Sequence, residues 1–289
     1  MGSEMCIRDS LWVESIFEFF GIAVIALLMV AMGLATAKSA LRVAYFTAAI
    51  TFISGIIGTA HHYYWYGGAA YWVGWGAIFS SMEPVPLLTL VVRGLMEDRD
   101  IRKEGQAFSY KWPMYFLVAA SFWNFLGAGI FGFLINLPII NFYEHGTYLT
   151  MHHGHTAMFG TYGMLSVALL LFSWRGMVDK AYWKDGILKL SFWGLNGGLF
   201  VMAFGTLLPV GAMQAWISFK DGLWAARSAD FFESTPVVWL GTFRALPDTI
   251  IIALGVLPLA YFLITTYPHL KAAKIEDGES VWERLGIEL

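Results

Sequence analysis

The stretch YLTMHHGHTAMFG, residues 148–160, places three histidines inside an apolar run that continues to Trp174. An apolar run of about 20 residues is long enough to cross the hydrocarbon core of a membrane. Ionisable side chains are costly in that environment unless they are paired, and they usually mark a functional site. His152, His153 and His155 therefore predict a membrane helix that carries chemistry.

The composition of the whole chain supports the same prediction. Hydrophobic residues make up 58% of the 289 residues and charged residues 13%, whereas a soluble domain has about 25% charged residues. We therefore expect an integral membrane protein in a lipid bilayer. The chain has no run of Lys and Arg, which argues against a nucleic-acid partner. Because Cys6 is the only cysteine, a metal in the membrane domain must be held by histidine and carboxylate.

Windows of about 20 apolar residues predict seven transmembrane helices and an all-α transmembrane fold. The windows lie at about 11–36, 43–66, 70–94, 112–137, 147–174, 189–217 and 246–267. Residues 1–10, MGSEMCIRDS, are polar and lack the pattern of a signal peptide, so we interpret them as a non-native leader. Residues 11–270 are then one membrane domain, and residues 271–289 are a tail.

Lysine and arginine are distributed unevenly between the predicted spans. The first, third and fifth connections and the tail carry them, whereas 67–70 and 138–146 carry none. By the positive-inside rule the first group is cytoplasmic, and so is the C-terminus. The connection 218–245 is then external. This orientation brings scattered polar residues to one layer near the external side of the membrane: Glu14, His61, His62, His153 and His155.

The spacing of His153 and His155 predicts that they face different neighbours. Residues two apart on an α-helix point about 200° apart, so the two rings cannot easily share one metal. Two hemes, one on either side of the helix, fit that geometry. For His152 a polar contact is a better expectation than ligation.

His61 and His62 are adjacent at the end of the second predicted span, where slight unwinding of the helix would aim both rings at one ion. Two histidines and a carboxylate form a hard site that suits iron better than Cu(I). Glu14 is the carboxylate at the right depth. The alternative for Glu14 and Glu18 is a position at the membrane interface near the start of the helix, where a carboxylate interacts favourably with the helix dipole.

Glu83 precedes Pro84 in the middle of the third predicted span. Proline frees backbone groups there, so the glutamate can face a kinked and wetter pocket. It would pass protons or hold waters in such a pocket. A structural hydrogen bond at the kink is the alternative.

Three motifs together resemble the heme–copper oxidase superfamily, and specifically its nitric oxide reductase branch. They are GTAHHYYWYG at 58–67, SMEPVPL at 81–87 and EHGTYLTMHHGHTAMFGTYGML at 144–165. The resemblance runs from Leu11 to about His269, and the ordered set is far more specific than any single motif. It implies a seven-helix C-terminal fragment of the twelve-helix bundle of subunit I. Missing N-terminal helices of the same protein would then supply the second ligand of heme b.

The resemblance also implies roles for individual residues. His61, His62 and Glu14 would hold a non-heme iron, His153 would bind the high-spin heme b3, and His155 would bind the low-spin heme b. The resemblance also implies that Glu83 and Glu18 act as catalytic acids. It places His145 near the heme propionates and Asp248 in a quinol pocket. Family members have a histidine at the position of Ser10, so the chain departs from the family motif there.

The function implied is the respiratory reduction of two NO to N2O and water in the cell inner membrane. Electrons would come from quinol through heme b, with a cytochrome c subunit as the alternative donor. Two other functions stay open. One is an oxygen-reducing terminal oxidase, many of which carry tyrosine where this chain has Glu14. The other is a transporter or structural subunit with buried His and Glu as a proton path, which would bind no heme.

Overall fold

The structure, a computed structural model, describes residues 12, 16–65, 67–80, 82 and 110–270, with the backbone alone at 18, 54–56, 63 and 80. Glu14, Glu83, the predicted leader (residues 1–10) and the predicted tail (residues 271–289) lie outside these residues, as does the side chain of Glu18. The described residues form helices and no β-strand, which confirms the all-α prediction.

The main helices lie in the described parts of the chain. In chain order they are α1 (Glu18–Ala31), α2 (Ala37–Gly58), α3 (Tyr71–Ser80), α4 (Lys111–Asn136), α5 (Pro138–Glu144), α6 (Tyr148–Met177), α7 (Asp185–Asp221) and α8 (Thr235–His269). A 3₁₀ turn, Thr59–Tyr63, follows α2, and short helical turns at Ala225–Arg227 and Ala229–Phe232 precede α8. Thr36 and Thr147 cap α2 and α6, because each hydroxyl accepts a backbone N–H of the first turn.

Within the described residues, α4, α6, α7 and α8 are long and apolar enough to cross a membrane. Phe19–Ala31 is apolar but shorter. The first three of these long helices follow the predicted windows closely, whereas α8 begins at Thr235 rather than at 246. The expected loop 138–146 contains α5, which starts at Pro138 because proline fits the first helical position.

The chain divides into two compact units. The first contains the described residues of 1–121 together with 164–177, and the second contains 122–163 and 178–270. In the first unit α1 packs against α2 and against the C-terminal half of α6, and α2 packs against α3. In the second unit the N-terminal half of α6 packs against α4, α5 and α7, and α7 also packs against α8.

Glycines let α7 and α8 touch backbone to backbone in the second unit. A Cβ on Gly194 would collide with the backbone carbonyl of Leu254, and a Cβ on Gly255 would lie 2.8 Å from the side chain of Leu195. Small residues at helix contacts are typical of membrane helices, because lipid supplies no hydrophobic force between them. Ser191 adds an interhelical hydrogen bond of 2.8 Å to the carbonyl oxygen of Gly255.

Each of the four long helices contains a π-helical segment. The segments are Phe125–Phe131, His155–Gly163, Ala203–Leu207 and Ile251–Val256. π turns are uncommon and often occur at functional sites, because the wider turn redirects side chains and backbone carbonyls. One of these segments begins at His155, so the chain changes its helical pitch at a predicted ligand.

Elsewhere in the second unit, the C-terminus of α8 is fixed to the turn that follows α6. The rings of Tyr182 and His269 stack with centroids 3.7 Å apart. Val178 and Leu270 form an isolated antiparallel bridge. These contacts hold the last described residues in place.

The contact between α7 and α8 can be tested with two neighbouring glycines. We expect Gly194→Ala to destabilise the protein by about 1–3 kcal/mol or more, because the two backbones must separate. Gly197→Ala is the control, since a Cβ there meets nothing within 4 Å. It should change stability by at most about 1 kcal/mol, on the stabilising side. Thermal unfolding in detergent measures both, and equal midpoints for the two variants would contradict the close contact.

Candidate heme-ligand site

His153 is held by two glycines of α4. Its Nδ1 lies 2.8 Å from the carbonyl oxygen of Gly127. A carbonyl can only accept, so Nδ1 carries the proton and Nε2 carries the lone pair. The same carbonyl accepts the backbone N–H of Gly132 in the π turn. A Cβ on Gly132 would lie 3.2 Å from Cε1 of His153, so the ring needs a glycine there.

His155 has the same tautomer but a different neighbour. Its Nδ1 lies 2.8 Å from the carbonyl oxygen of Met151, one turn earlier in α6. Its Nε2 lies 3.1 Å from the guanidinium of Arg244, on α8. His153 therefore faces α4 and His155 faces α8, as their spacing predicts. Their binding of heme b3 and heme b stays a prediction.

His61 and His62 lie in the 3₁₀ turn after α2, in the first unit. Their ring centroids are 4.0 Å apart, and Nδ1 of His61 lies 2.7 Å from the carbonyl oxygen of Gly58. The helix tightens here and does not unwind as predicted, yet the tightening still brings the two rings together. Within the described residues no group of three or more His, Cys, Asp or Glu side chains could hold a metal ion. The third expected ligand, Glu14, lies outside them.

The donor set fits heme and iron. Metal-ligating histidines usually donate one ring N–H to a carbonyl, which fixes the tautomer and orients the other nitrogen. His61, His153 and His155 each have Nδ1 within 2.8 Å of a backbone carbonyl oxygen. The glycine beside the His153 ring leaves room that a side chain would fill.

Within the described residues, His152 does not make the polar contact that was expected of it. Its side chain is 0% exposed, and neither ring nitrogen has a hydrogen-bond partner in the described part of the chain. Instead the ring lies edge-on to Phe131, with centroids 4.2 Å apart, and to Phe204, at 5.4 Å. Burial of an unpaired polar ring is unfavourable, so His152 packs as an aromatic residue at a cost in stability.

Arg227 fixes the segment that precedes the histidines. It donates to the carbonyl oxygen of His145 at 2.6 Å and to that of Leu223 at 2.7 Å. Asp248 lies one turn after Arg244 on α8, 3.7 Å from its Nε. A heme-propionate contact for His145 and a quinol contact for Asp248 both stay predictions.

Glu144 is a buried carboxyl whose burial the sequence did not indicate. It is 1% exposed, and it accepts a hydrogen bond of 3.0 Å from the hydroxyl of Thr150. Burial raises its pKa to about 7, although the hydrogen bond from Thr150 opposes the shift. Glu144 is the last residue of α5, outside the four candidate spans. The one signal in the sequence was a carboxylate directly before the motif HGT.

Known proteins match most of the chain. The family model described as Cytochrome C and Quinol oxidase polypeptide I matches residues 10–250. A nitric oxide reductase subunit of Stutzerimonas stutzeri is 30% identical over 212 residues, which are 72% of this chain and 44% of that protein. Cytochrome c oxidase subunit 1 of Corynebacterium diphtheriae is 26% identical over 166 residues, 57% of this chain and 26% of that protein. The chain thus spans less than half the length of either relative.

Glu144 predicts a pH-dependent stability. The pKa of its carboxyl is higher in the folded state, so the folded protein binds the proton more tightly. That contribution is complete below the ordinary pKa of 4.5 and is lost as the pH rises through about 7. Glu144→Gln should match the parent at pH 4.5 and exceed its stability by about 3 kcal/mol at pH 8. Unfolding midpoints across this range measure the difference.

The control for that experiment is Glu233→Gln, because Glu233 is an exposed glutamate of the same unit. Its unfolding midpoints should follow those of the parent protein at every pH. If the curve of Glu144→Gln also runs parallel to the parent, the carboxyl of Glu144 does not hold its proton near neutral pH.

His152 predicts an unusual response to substitution. Leucine has a similar volume and no polar atom, so His152→Leu should leave stability unchanged or raise it by about 1–3 kcal/mol. His152→Ala should lower it by about 2–5 kcal/mol, because the aromatic neighbours lose their contacts. Thermal unfolding distinguishes the two. A marked loss of stability in His152→Leu would mean that the imidazole nitrogens have a partner.

Proposed function

The chain belongs to the cytochrome c and quinol oxidase polypeptide I family, and on that premise we propose that it works in a quinol-dependent nitric oxide reductase. One observation carries the choice within the family. The nitric oxide reductase relative is 30% identical over 72% of the chain, whereas the oxidase relative is 26% identical over 57%. The reaction would be 2 NO + 2 e⁻ + 2 H⁺ → N2O + H2O.

The histidines would hold the prosthetic groups of this reaction. His153 would bind heme b3, His155 would bind heme b, and His61 and His62 would bind the non-heme iron with Glu14. When bound, these groups supply electron transfer and two iron atoms that bind NO and favour developing negative charge. The hydrogen bond of His153 to the Gly127 carbonyl orients the ring and makes it a stronger donor.

Carboxylates would supply the two protons. Glu14 and Glu83 would relay protons and tune the iron, and Glu18 would assist from the next turn of the first predicted span. Asp248 would contact quinol, with a cytochrome c subunit as the alternative electron donor. The protein would lie in the cell inner membrane, with its C-terminus in the cytoplasm.

Reduction of oxygen is the second candidate function. The match to cytochrome c oxidase subunit 1 of Corynebacterium diphtheriae supports it. Such an enzyme would hold copper where the proposed reductase holds iron. A carboxylate at position 14 favours iron, because hard oxygen ligands do not suit Cu(I).

The proposed function predicts a specific effect of one substitution. His153→Ala in the full chain, as part of the enzyme that contains it, should abolish NO consumption measured with a quinol donor. It should retain low-spin heme b, because His155 faces a different helix. Absorbance spectra of the purified protein measure the retained heme. Loss of both hemes together would contradict the assignment of the two histidines.

A matched control and a metal analysis complete that experiment. His269→Ala removes a histidine that stacks on Tyr182 far along the chain from the proposed ligands, so NO consumption should persist. Iron in excess of heme supports the reductase. Copper equal to heme would instead favour the oxidase.

A further inference from the structure

The lone pair on Nε2 of His155 already has a partner. Because Nδ1 donates to the Met151 carbonyl, Nε2 can only accept. Arg244 donates to it at 3.1 Å, and arginine stays protonated at any ordinary pH. An imidazole nitrogen has one lone pair. It cannot serve the guanidinium and an iron at once.

Arg244 also has another partner within reach. Its Nε lies 3.7 Å from a carboxylate oxygen of Asp248, one turn later on the same helix. The same guanidinium nitrogen that reaches His155 lies 3.8 Å from the sulfur of Met202. The side chains of Arg244 and Asp248 are 29% and 46% exposed, so neither is locked by packing. Arg244 can therefore leave the imidazole without becoming an unpaired charge.

We infer that Arg244 guards the metal-binding nitrogen of His155 and releases it when heme binds, while Asp248 retains the guanidinium. This inference rests on the proposed function, because His155 is taken there as a heme ligand. Arg244 is thus a positioning residue that acts through His155. It keeps the ring in the ligating tautomer and orientation, and it competes with heme for the same lone pair.

The competition has a consequence for substitutions on α8. Removing Arg244 should raise the affinity of His155 for heme, although it removes a polar contact. Removing the carboxylate of Asp248 should lower that affinity, because Arg244 then loses the carboxylate that retains it after release. A general loss of folding would lower the heme affinity of both variants, so it would not produce changes of opposite sign.

The first experiment measures the contact itself and needs no heme. Diethyl pyrocarbonate acylates the lone pair of imidazole, and mass spectrometry of the full chain in detergent gives the rate at each histidine. Arg244→Gln should raise the rate at His155 by about tenfold, the effect of losing one hydrogen bond to a charged donor. Arg227→Gln is the control, because Arg227 donates to the backbone carbonyls of His145 and Leu223. Equal rates at His155 in the parent and Arg244→Gln would overturn the inference.

The second experiment measures the competition. Hemin is titrated into the full chain carrying His153→Ala, so that only the other proposed heme ligand remains, and the Soret absorbance gives the affinity. We expect Arg244→Gln to bind about tenfold more tightly and Asp248→Asn to bind more weakly. Both differences should vanish when His155 is also replaced by alanine. Equal binding by parent and Arg244→Gln, including no binding by either, would overturn the inference.

These results are separable from the proposed function. The acylation rate and the hemin affinity do not depend on NO consumption, so an inactive protein can still support the role of Arg244. If Arg244→Gln fails to fold, Asp248→Asn decides alone: weaker hemin binding supports the role of Arg244, and unchanged or tighter binding contradicts it.

Discussion

The hydrogen bond between His153 and the carbonyl of Gly127 is linked to several structural features of the second unit. It requires α4 and α6 to approach very closely, and a Cβ on Gly127 would lie 2.5 Å from the backbone nitrogen of Ala157. It also requires the π turn in which Gly132 donates to the same carbonyl. Close packing, altered helical pitch and the tautomer of a proposed ligand thus depend on two glycines.

A common principle applies to the proposed ligands in both units. His61, His153 and His155 each donate from Nδ1 to a carbonyl of the peptide backbone. A backbone acceptor cannot change its protonation state, so the tautomer of each ring is set by the fold. His152 is the counterexample, since its nitrogens have no partner in the described residues and its ring packs among phenylalanines.

Hydropathy predicts the helical class and the position of α4, α6 and α7, because membrane helices must satisfy their backbone internally. The rotation of 100° per residue along a helix is enough to predict that His153 and His155 face different neighbours. Contacts between distant segments cannot be predicted in this way. The last predicted window begins at 246, which places Arg244 in the loop 218–245, yet it lies within a continuous helix and reaches His155. The burial of Glu144 depends on packing that no local pattern encodes.

The length of α8 alters the electrostatic surroundings of its charged residues. A helix of 35 residues measures about 50 Å at 1.5 Å per residue, whereas the hydrocarbon layer is about 30 Å thick. The surplus of about 20 Å corresponds to about 13 residues. Counted from the end of the helix at His269, a layer of about 30 Å would leave the stretch from Thr235 to Asp248 outside the hydrocarbon. In that position Arg244 and Asp248 would be spared the dehydration that hydrocarbon would impose.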